Sequence, residues 1–372
     1  MKTSQEITRL HKTLLADYDN QGRTLPWRIR PEDKARGIVP DPYAIWLSEI
    51  MCQQTTTTAA RPFWEKFLKQ WPKVEALACA PRADILSAWA GLGYYARARN
   101  LHKCANIICE EYDGVFPKTQ NELLKLPGIG AYTAAAMAAI CFGQLANVVD
   151  GNVERVISRL FAVKEKMPKA KTAVRWLAGT LASPKRPDDY AQGLMDLGAH
   201  ICKPKNPKCD VCPWLFACAA YKEKAQESYP RKAAKKTKAR AYGAVFYIEN
   251  ADGFWARTRK DEGLLGGMTE LPGTKWTTDK PPQNLWMKQA PLPKNWQSAG
   301  APIKHVFTHF TLYLSVYTAS HKGGFPDITV GFKAAKAQAF PSLMMKAIKR
   351  AQARDALEPL RADAANLSGQ EL

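Results

Sequence analysis

The sequence predicts two domains in series, an all-α domain followed by a smaller α+β domain, and three observations carry that prediction. The chain has 372 residues, more than a single hydrophobic core ordinarily organises. From residue 5 to about 225, apolar residues recur three and four apart, the spacing of a helix with one buried face. Beyond residue 240 the spacing shortens to two, and β-branched and aromatic residues accumulate, as in half-buried strands.

The first domain is placed at 1–225. Tyr43, Trp46, Leu47, Ile50 and Met51 form one stripe of a helix that Pro42 starts, because the fixed φ of proline suits a first helical turn. Residues 226–240 read as a basic linker: PRKAAKKTKAR, 230–240, holds six basic residues and no acidic one, and a run of this kind either spans between domains or also touches phosphate. The second domain is placed at 241–355. AYGAVFYIEN (241–250), GFWARTR (253–259) and HFTLYLSVYT (309–318) are its strands, with Phe310, Leu312, Leu314 and Val316 alternating on one face, and a helix follows at 341–353. Residues 356–372 read as a polar, flexible tail.

Fifty-four basic against 34 acidic residues leave a net charge of +20, which suits a polyanionic partner because each neutralised phosphate releases counterions. Charge alone leaves DNA, RNA and an acidic membrane open. No apolar run reaches the roughly 18 residues of a transmembrane helix, and MKTSQEITRLHK has no apolar stretch to act as a secretory signal. The expectation is a cytoplasmic protein without membrane contact. Nine cysteines are an odd number for a disulfide framework. Cys52, Cys79, Cys104, Cys109 and Cys141 are scattered, but Cys202, Cys209, Cys212 and Cys218 crowd into one loop, 202–218, and can surround a single metal centre. Their spacing leaves zinc and iron-sulfur open. Lys203, Lys205 and Lys208 make the same loop basic, which favours docking on a polyanion over electron transfer.

Four further stretches carry chemistry. Leu126-Pro127-Gly128-Ile129-Gly130 precedes the helix-forming run Thr133 to Phe142; glycines there can turn backbone N–H groups toward a phosphate, although a plain helix connection uses the same turn. Twenty residues on, Val148-Val149-Asp150-Gly151-Asn152-Val153 sets a carboxylate at a helix start, a place that simple capping also explains. Ser48-Glu49-Ile50-Met51-Cys52-Gln53-Gln54-Thr55 puts Glu49 off the apolar stripe with Gln53 one turn along. Gly91-Leu92-Gly93-Tyr94-Tyr95-Ala96-Arg97-Ala98-Arg99 supplies an aromatic pair beside two arginines, suited either to nucleic acid or to a core-facing loop.

In this order the motifs resemble the adenine DNA glycosylase family of the helix-hairpin-helix, endonuclease III superfamily. LPWR at 25–28, PYAIWLSEIMCQQT, GLGYYARARNLH, LPGIGAYTAAA, VVDGNVERV and the four cysteines follow its pattern over about 20–225. The resemblance implies a helix-hairpin-helix at about 121–142, a 4Fe-4S cluster on Cys202, Cys209, Cys212 and Cys218, and a substrate of double-stranded DNA with adenine opposite 8-oxoguanine or guanine. It implies a monomeric, nucleoid-associated repair enzyme. Glu49 matches the general acid, Asp150 the second catalytic carboxylate and Asn152 the asparagine assisting it. Arg23, Trp27, Arg28 and Gln192 match the adenine pocket; Gln53, Gln54, Leu92, Tyr94, Gly128 and Gly130 match DNA contacts. Lyases of the superfamily place a Schiff-base lysine where this chain has Tyr132, and a phenol forms no imine, so the expected enzyme is monofunctional. The second domain resembles the family's Nudix-like module through Gly263-Leu264-Leu265-Gly266-Gly267-Met268 and Leu271-Pro272-Gly273, and Phe307, Thr308 and His309 match its 8-oxoguanine probe, with Thr308 where serine is usual. Residues 274–300 contain no glutamate, so pyrophosphate hydrolysis, which needs a glutamate-rich metal helix, is not expected. Two rivals stay open: an endonuclease III-like enzyme for oxidised pyrimidines, and a non-catalytic iron-sulfur nucleic-acid-binding protein.

Overall fold

Small residues set the centre of the helical part. Helix Ala131–Phe142 buries Ala134, Ala135, Ala136, Ala138 and Ala139 completely, which lets neighbouring backbones approach closely, and helices Pro42–Cys52 and Pro187–Asp196 pack against it. Helix Ser4–Gln21, started by a capping box between Thr3 and Glu6, lies on Pro187–Asp196 in turn. The computed structural model describes residues 1–234, 237–260, 263–331 and 340–355; the tail expected at 356–372, and residues 235–236 of the expected linker, lie outside them. Two units divide the chain: one comprises Met1–Ala80 and Arg99–Lys235, the other Pro81–Ala98 and Lys236–Leu372.

Helix Pro42–Cys52 differs from its expected one-sided stripe. Asp41 caps it by accepting from the Tyr43 N–H at 2.9 Å, and Ile45 and Ser48 are buried along with the stripe, so that nearly its whole circumference is covered. The stretch expected as linker is fastened at its start: Met167 N–H donates to the Arg231 carbonyl at 2.7 Å, and Ala233 N–H to the Met167 carbonyl at 3.1 Å. Backbone pairing of this kind satisfies groups that a solvated linker would leave to water.

The second unit is a mixed sheet with a core on each face. Its strands are β1 (Ala239–Glu249), β2 (Phe254–Thr258), β3 (Thr269–Glu270), β4 (Gln297–Ser298), β5 (Ile303–Val306), β6 (Phe310–Ser320) and β7 (Ile328–Val330). The path runs β3-β2-β1-β6-β4, with β5 also on β6 and β7 on β2. β1 and β6 are parallel, Val245 opposite Val316, and the other pairings are antiparallel. Val245, Tyr247, Leu312, Leu314 and Val316 face Leu343, Met344, Ala347 and Ile348 of helix Ser342–Asp355. Ala244, Phe246 and Tyr317 pack with Trp286 of helix Gln283–Met287 on the opposite face. β6 was expected to be half-buried; its second half is covered on both faces, because Trp286 shields the side that the alternation assigned to water.

Candidate active site

Glu49 and Cys52 are half-buried on one side of Pro42–Cys52, and both line a cavity of about 930 Å3 within the first unit. Asp150 lines the same cavity. The arrangement follows from local structure: Asp150 is the N-cap of helix Gly151–Leu160, accepting from the Val153 N–H at 2.7 Å and from Asn152 Nδ2 at 3.0 Å. A carboxylate at that position satisfies an otherwise unpaired amide and meets the positive end of the helix dipole. Capping and a place in the cavity are therefore compatible.

Burial acts on the proton affinity of Glu49. Burial pushes the Glu49 carboxyl up to about 7; the Tyr132 hydroxyl, hydrogen-bonded to it, and the Arg28 charge act against that rise, while the Asp150 charge adds to it. Tyr132 itself is raised well above the ordinary phenol value, first by burial and then by the charges of Glu49 and Asp150. The outcome is one carboxyl that holds a proton near neutrality beside one that is multiply hydrogen-bonded as an acceptor.

The rest of the cavity wall gathers most of the residues singled out in the sequence. Arg23, Trp27, Arg28, Gln53, Gln54, Gly128, Gly130, Tyr132, Asn152 and Gln192 all line it. Gly128 has φ +79°, and a Cβ there would stand 2.8 Å from the Asn100 Cβ, so the hairpin requires glycine at this point. Gly130 is the N-cap of Ala131–Phe142. Gln53 Nε2 donates to Thr133 Oγ1 at 3.2 Å, and Gln54 takes the left-handed region at φ +58°.

Asp196, at the end of Pro187–Asp196, was not singled out. Arg28 grips it with two bonds, Nη1 at 2.7 Å and Nη2 at 2.9 Å, and Arg23 adds its Nε at 2.5 Å and its backbone N–H at 2.8 Å. Burial would raise this carboxyl, but Arg28 and Arg23 outweigh it and hold it below the usual carboxylate range. The two arginines expected in an adenine pocket are thus pinned to the wall by a common acid. The signal was a lone acidic residue in the apolar run Gly193-Leu194-Met195-Asp196-Leu197, four positions after Gln192.

The four cysteines line a separate small cavity of about 30 Å3, together with Arg159 and Gln226. Arg159, 2% exposed, donates to Cys202 Sγ at 3.3 Å, to the Lys203 carbonyl at 2.7 Å and to the Pro204 carbonyl at 3.0 Å; Gln226 Nε2 donates to Cys209 Sγ at 3.8 Å. Arg155 reaches from Asn152 Oδ1, at 3.0 Å, to the Cys202 carbonyl, at 2.7 Å. Neither arginine was foreseen, although they stand one turn apart on a helix that begins with Asp150. Burial pushes the Cys212 thiol up to about 12, so thiolates there require a cation. Among the described residues, no three His, Cys, Asp or Glu gather to hold one metal ion.

The remaining sequence-selected residues lie in the second unit. Tyr94 is 54% exposed at φ +49°, whereas Leu92 is buried. Phe307, Thr308 and His309 form the turn between β5 and β6, closed by Phe307 N–H donating to the Phe310 carbonyl at 2.9 Å. Phe307 is half-buried, its ring 4.9 Å from Phe310 and 5.7 Å from Trp276, while Thr308 and His309 are exposed.

Comparison with known proteins adds independent findings. The model of the HhH-GPD superfamily of base excision DNA repair proteins matches residues 47–178, and a NUDIX domain model matches 244–350. An adenine DNA glycosylase of Homo sapiens is 32% identical over 379 residues, covering 87% of this chain and 69% of that protein. An adenine DNA glycosylase of Buchnera aphidicola subsp. Schizaphis graminum is 34% identical over 302 residues, covering 79% and 82%. Among solved structures, a thermostable thymine-DNA glycosylase is 31% identical with a TM-score of 0.52, covering 59% of this chain and 98% of that one. The helical fold is that of the endonuclease III-type glycosylases, and the mixed sheet is Nudix-like. No helix among the described residues is long and apolar enough to cross a membrane.

Proposed function

The chain belongs to the adenine DNA glycosylase family, and from that premise we propose that it excises adenine opposite 8-oxoguanine or guanine in duplex DNA, with Glu49 and Asp150 as its catalytic pair. The observation that carries this reading is the single cavity onto which both carboxyls open. Adenine is unreachable inside the stack, so the nucleotide must turn out into that cavity, at a cost of about a few kcal/mol that mispairing reduces. Breaking the N-glycosidic bond leaves negative charge on the base and positive charge on the sugar. Glu49, holding its proton up to about pH 7, donates to N7 of the departing adenine. Asp150, fixed by Asn152 and the Val153 N–H, balances the oxocarbenium ion until water adds. Arg23, Trp27, Arg28 and Gln192 shape the adenine end; Gln53, Gln54, Leu92, Tyr94, Gly128 and Gly130 serve the DNA, and Tyr132 offers no amine for strand cleavage.

The donor set fits an iron-sulfur group. Cys202, Cys209, Cys212 and Cys218, which line one small cavity, would hold a 4Fe-4S cluster, which when bound supplies the positive iron that four clustered thiolates need. Lys205 and Lys208, exposed on the loop so fastened, meet phosphate. Phe307, Thr308 and His309 probe the 8-oxoguanine. On this reading the protein is a monomer acting on nucleoid DNA.

The test is incubation of the purified protein with duplexes bearing adenine opposite 8-oxoguanine, guanine, cytosine or thymine, followed by separation of released base. Adenine release from the first two, with strands intact until alkali is added, supports the proposal. Release of an oxidised pyrimidine instead, strand scission without alkali, or no release at all would overturn it.

A further inference from the structure

Helix Lys171–Gly179 buries Val174 and Ala178 and leaves Arg175 and Trp176 on its open side. Arg175 lines the cavity that holds Glu49 and Asp150. Its neighbour Trp176 is 57% exposed, an unfavourable placement for the largest apolar side chain unless a partner covers it. The position is not a loose one. Asn147 Nδ2 donates to the Arg175 carbonyl at 2.8 Å, and a Cβ on Gly179 would stand 3.3 Å from that same nitrogen, so the helix is held closely against the stretch that leads to Asp150. Leu145, in that stretch, is 60% exposed as well.

A cationic residue lining the cavity, followed in sequence by an exposed indole, offers what a nucleic-acid strand uses: a cation for phosphate and a flat apolar face for sugar or base. The hairpin glycines Gly128 and Gly130 line the same cavity, and the chain's +20 charge favours the same class of partner. We propose that Arg175 and Trp176 form a docking platform for the DNA strand that carries the everted nucleotide, Arg175 on a phosphate and Trp176 against the adjoining sugar or base. The proposal rests on the glycosylase reading above and adds to it two residues that motif matching did not select.

The experiment is equilibrium binding of the purified holoprotein to a labelled duplex with a tetrahydrofuran abasic analogue opposite 8-oxoguanine, which cannot be cleaved, across a salt series. Trp176→Ala raises Kd about fivefold or more, the low end for removal of one stacking side chain, whereas Trp176→Phe retains most of the affinity. Arg175→Ala flattens the slope of log K against log salt by about one unit, as expected when one phosphate is no longer neutralised. DNA-induced quenching of tryptophan fluorescence is smaller in Trp176→Phe than in the wild type. Val115→Ala, at another exposed apolar position (63% exposed), is the control and leaves Kd unchanged. Wild-type Kd and salt slope in both alanine variants, alongside a wild type that binds, would overturn this proposal alone; a wild type that binds no duplex overturns the glycosylase reading and this one with it.

Discussion

Under the proposed function, the cavity of the first unit and the β5–β6 turn of the second answer opposite physical demands. In the cavity, burial is the working principle: it lifts Glu49 to about 7 and places the Arg28–Asp196 pair where its bonds of 2.7 and 2.9 Å are protected from solvent. In the turn, a half-buried phenylalanine braces two exposed polar side chains. Moving charge requires a dry, pre-arranged wall, because each interaction is worth more at low dielectric. Reading a base edge requires groups that stand clear of their own protein. Substitutions in the two regions should therefore differ in size and in what they change.

The largest effect is expected at Asp150. Asp150→Asn lowers the single-turnover rate of adenine release by about 10²–10³-fold, the usual loss when one charge-stabilising group is removed, while duplex Kd changes little. A rate within threefold of wild type would remove Asp150 from the chemistry. Asp196→Asn comes next and acts on stability: it leaves Arg28 and Arg23 facing a neutral group, and breaking a buried pair from one side costs about 3–5 kcal/mol. Urea unfolding measures this; a loss under about 1 kcal/mol, the worth of an exposed pair, would show that the wall does not depend on that clamp.

Glu49 supplies a test with a sign. Its folded-state value, about 7, lies above its ordinary 4.5, so the folded protein holds this proton more tightly than the unfolded chain does. The associated stability is complete at pH 4.5 and is lost as pH rises to about 7. Glu49→Gln abolishes that dependence. Its Tm should equal that of the wild type near pH 4.5 and exceed it increasingly toward pH 8, by a few degrees at most, even though adenine release is lost. In the wild type, adenine release falls as pH passes 7. A Tm difference independent of pH would mean that Glu49 titrates normally and is no general acid near neutrality.

Legibility in the sequence followed the range of the interaction. The cap made by Asp150 could be read because it is written within three residues, whereas its catalytic role came from the resemblance alone. The place of Glu49 could be read because it lies off an apolar stripe on a helix that Pro42 starts, and its role as acid came from the resemblance. The crowded cysteines and the alternation of β6 were equally local. Asp196 could not be read, because what makes it important is Arg28, 168 positions away, and no periodicity encodes that meeting. Arg159 was hidden for the same reason: its value lies in the carbonyls of the cysteine loop, more than forty positions on. The second face of β6 was missed because its cover, Trp286, arrives on a short helix from a loop-like stretch.

The smallest predicted effect belongs to the turn, and it sharpens the contrast most. Thr308 is exposed, so Thr308→Ala removes a hydroxyl without opening a cavity, and stability should stay within about 0.5 kcal/mol of wild type. One neutral hydrogen bond is worth about 1 kcal/mol, or roughly fivefold. That factor should appear as a reduced preference for 8-oxoguanine over guanine opposite the adenine, measured as the ratio of Kd values for the two duplexes, while the single-turnover rate on adenine opposite guanine is unchanged. Thr308→Ser keeps the hydroxyl and loses only a methyl, so it should preserve the preference. If Thr308→Ala lowers the excision rate on both duplexes equally, the turn contributes to the chemistry as well as to lesion reading, and the division of labour between the two regions fails.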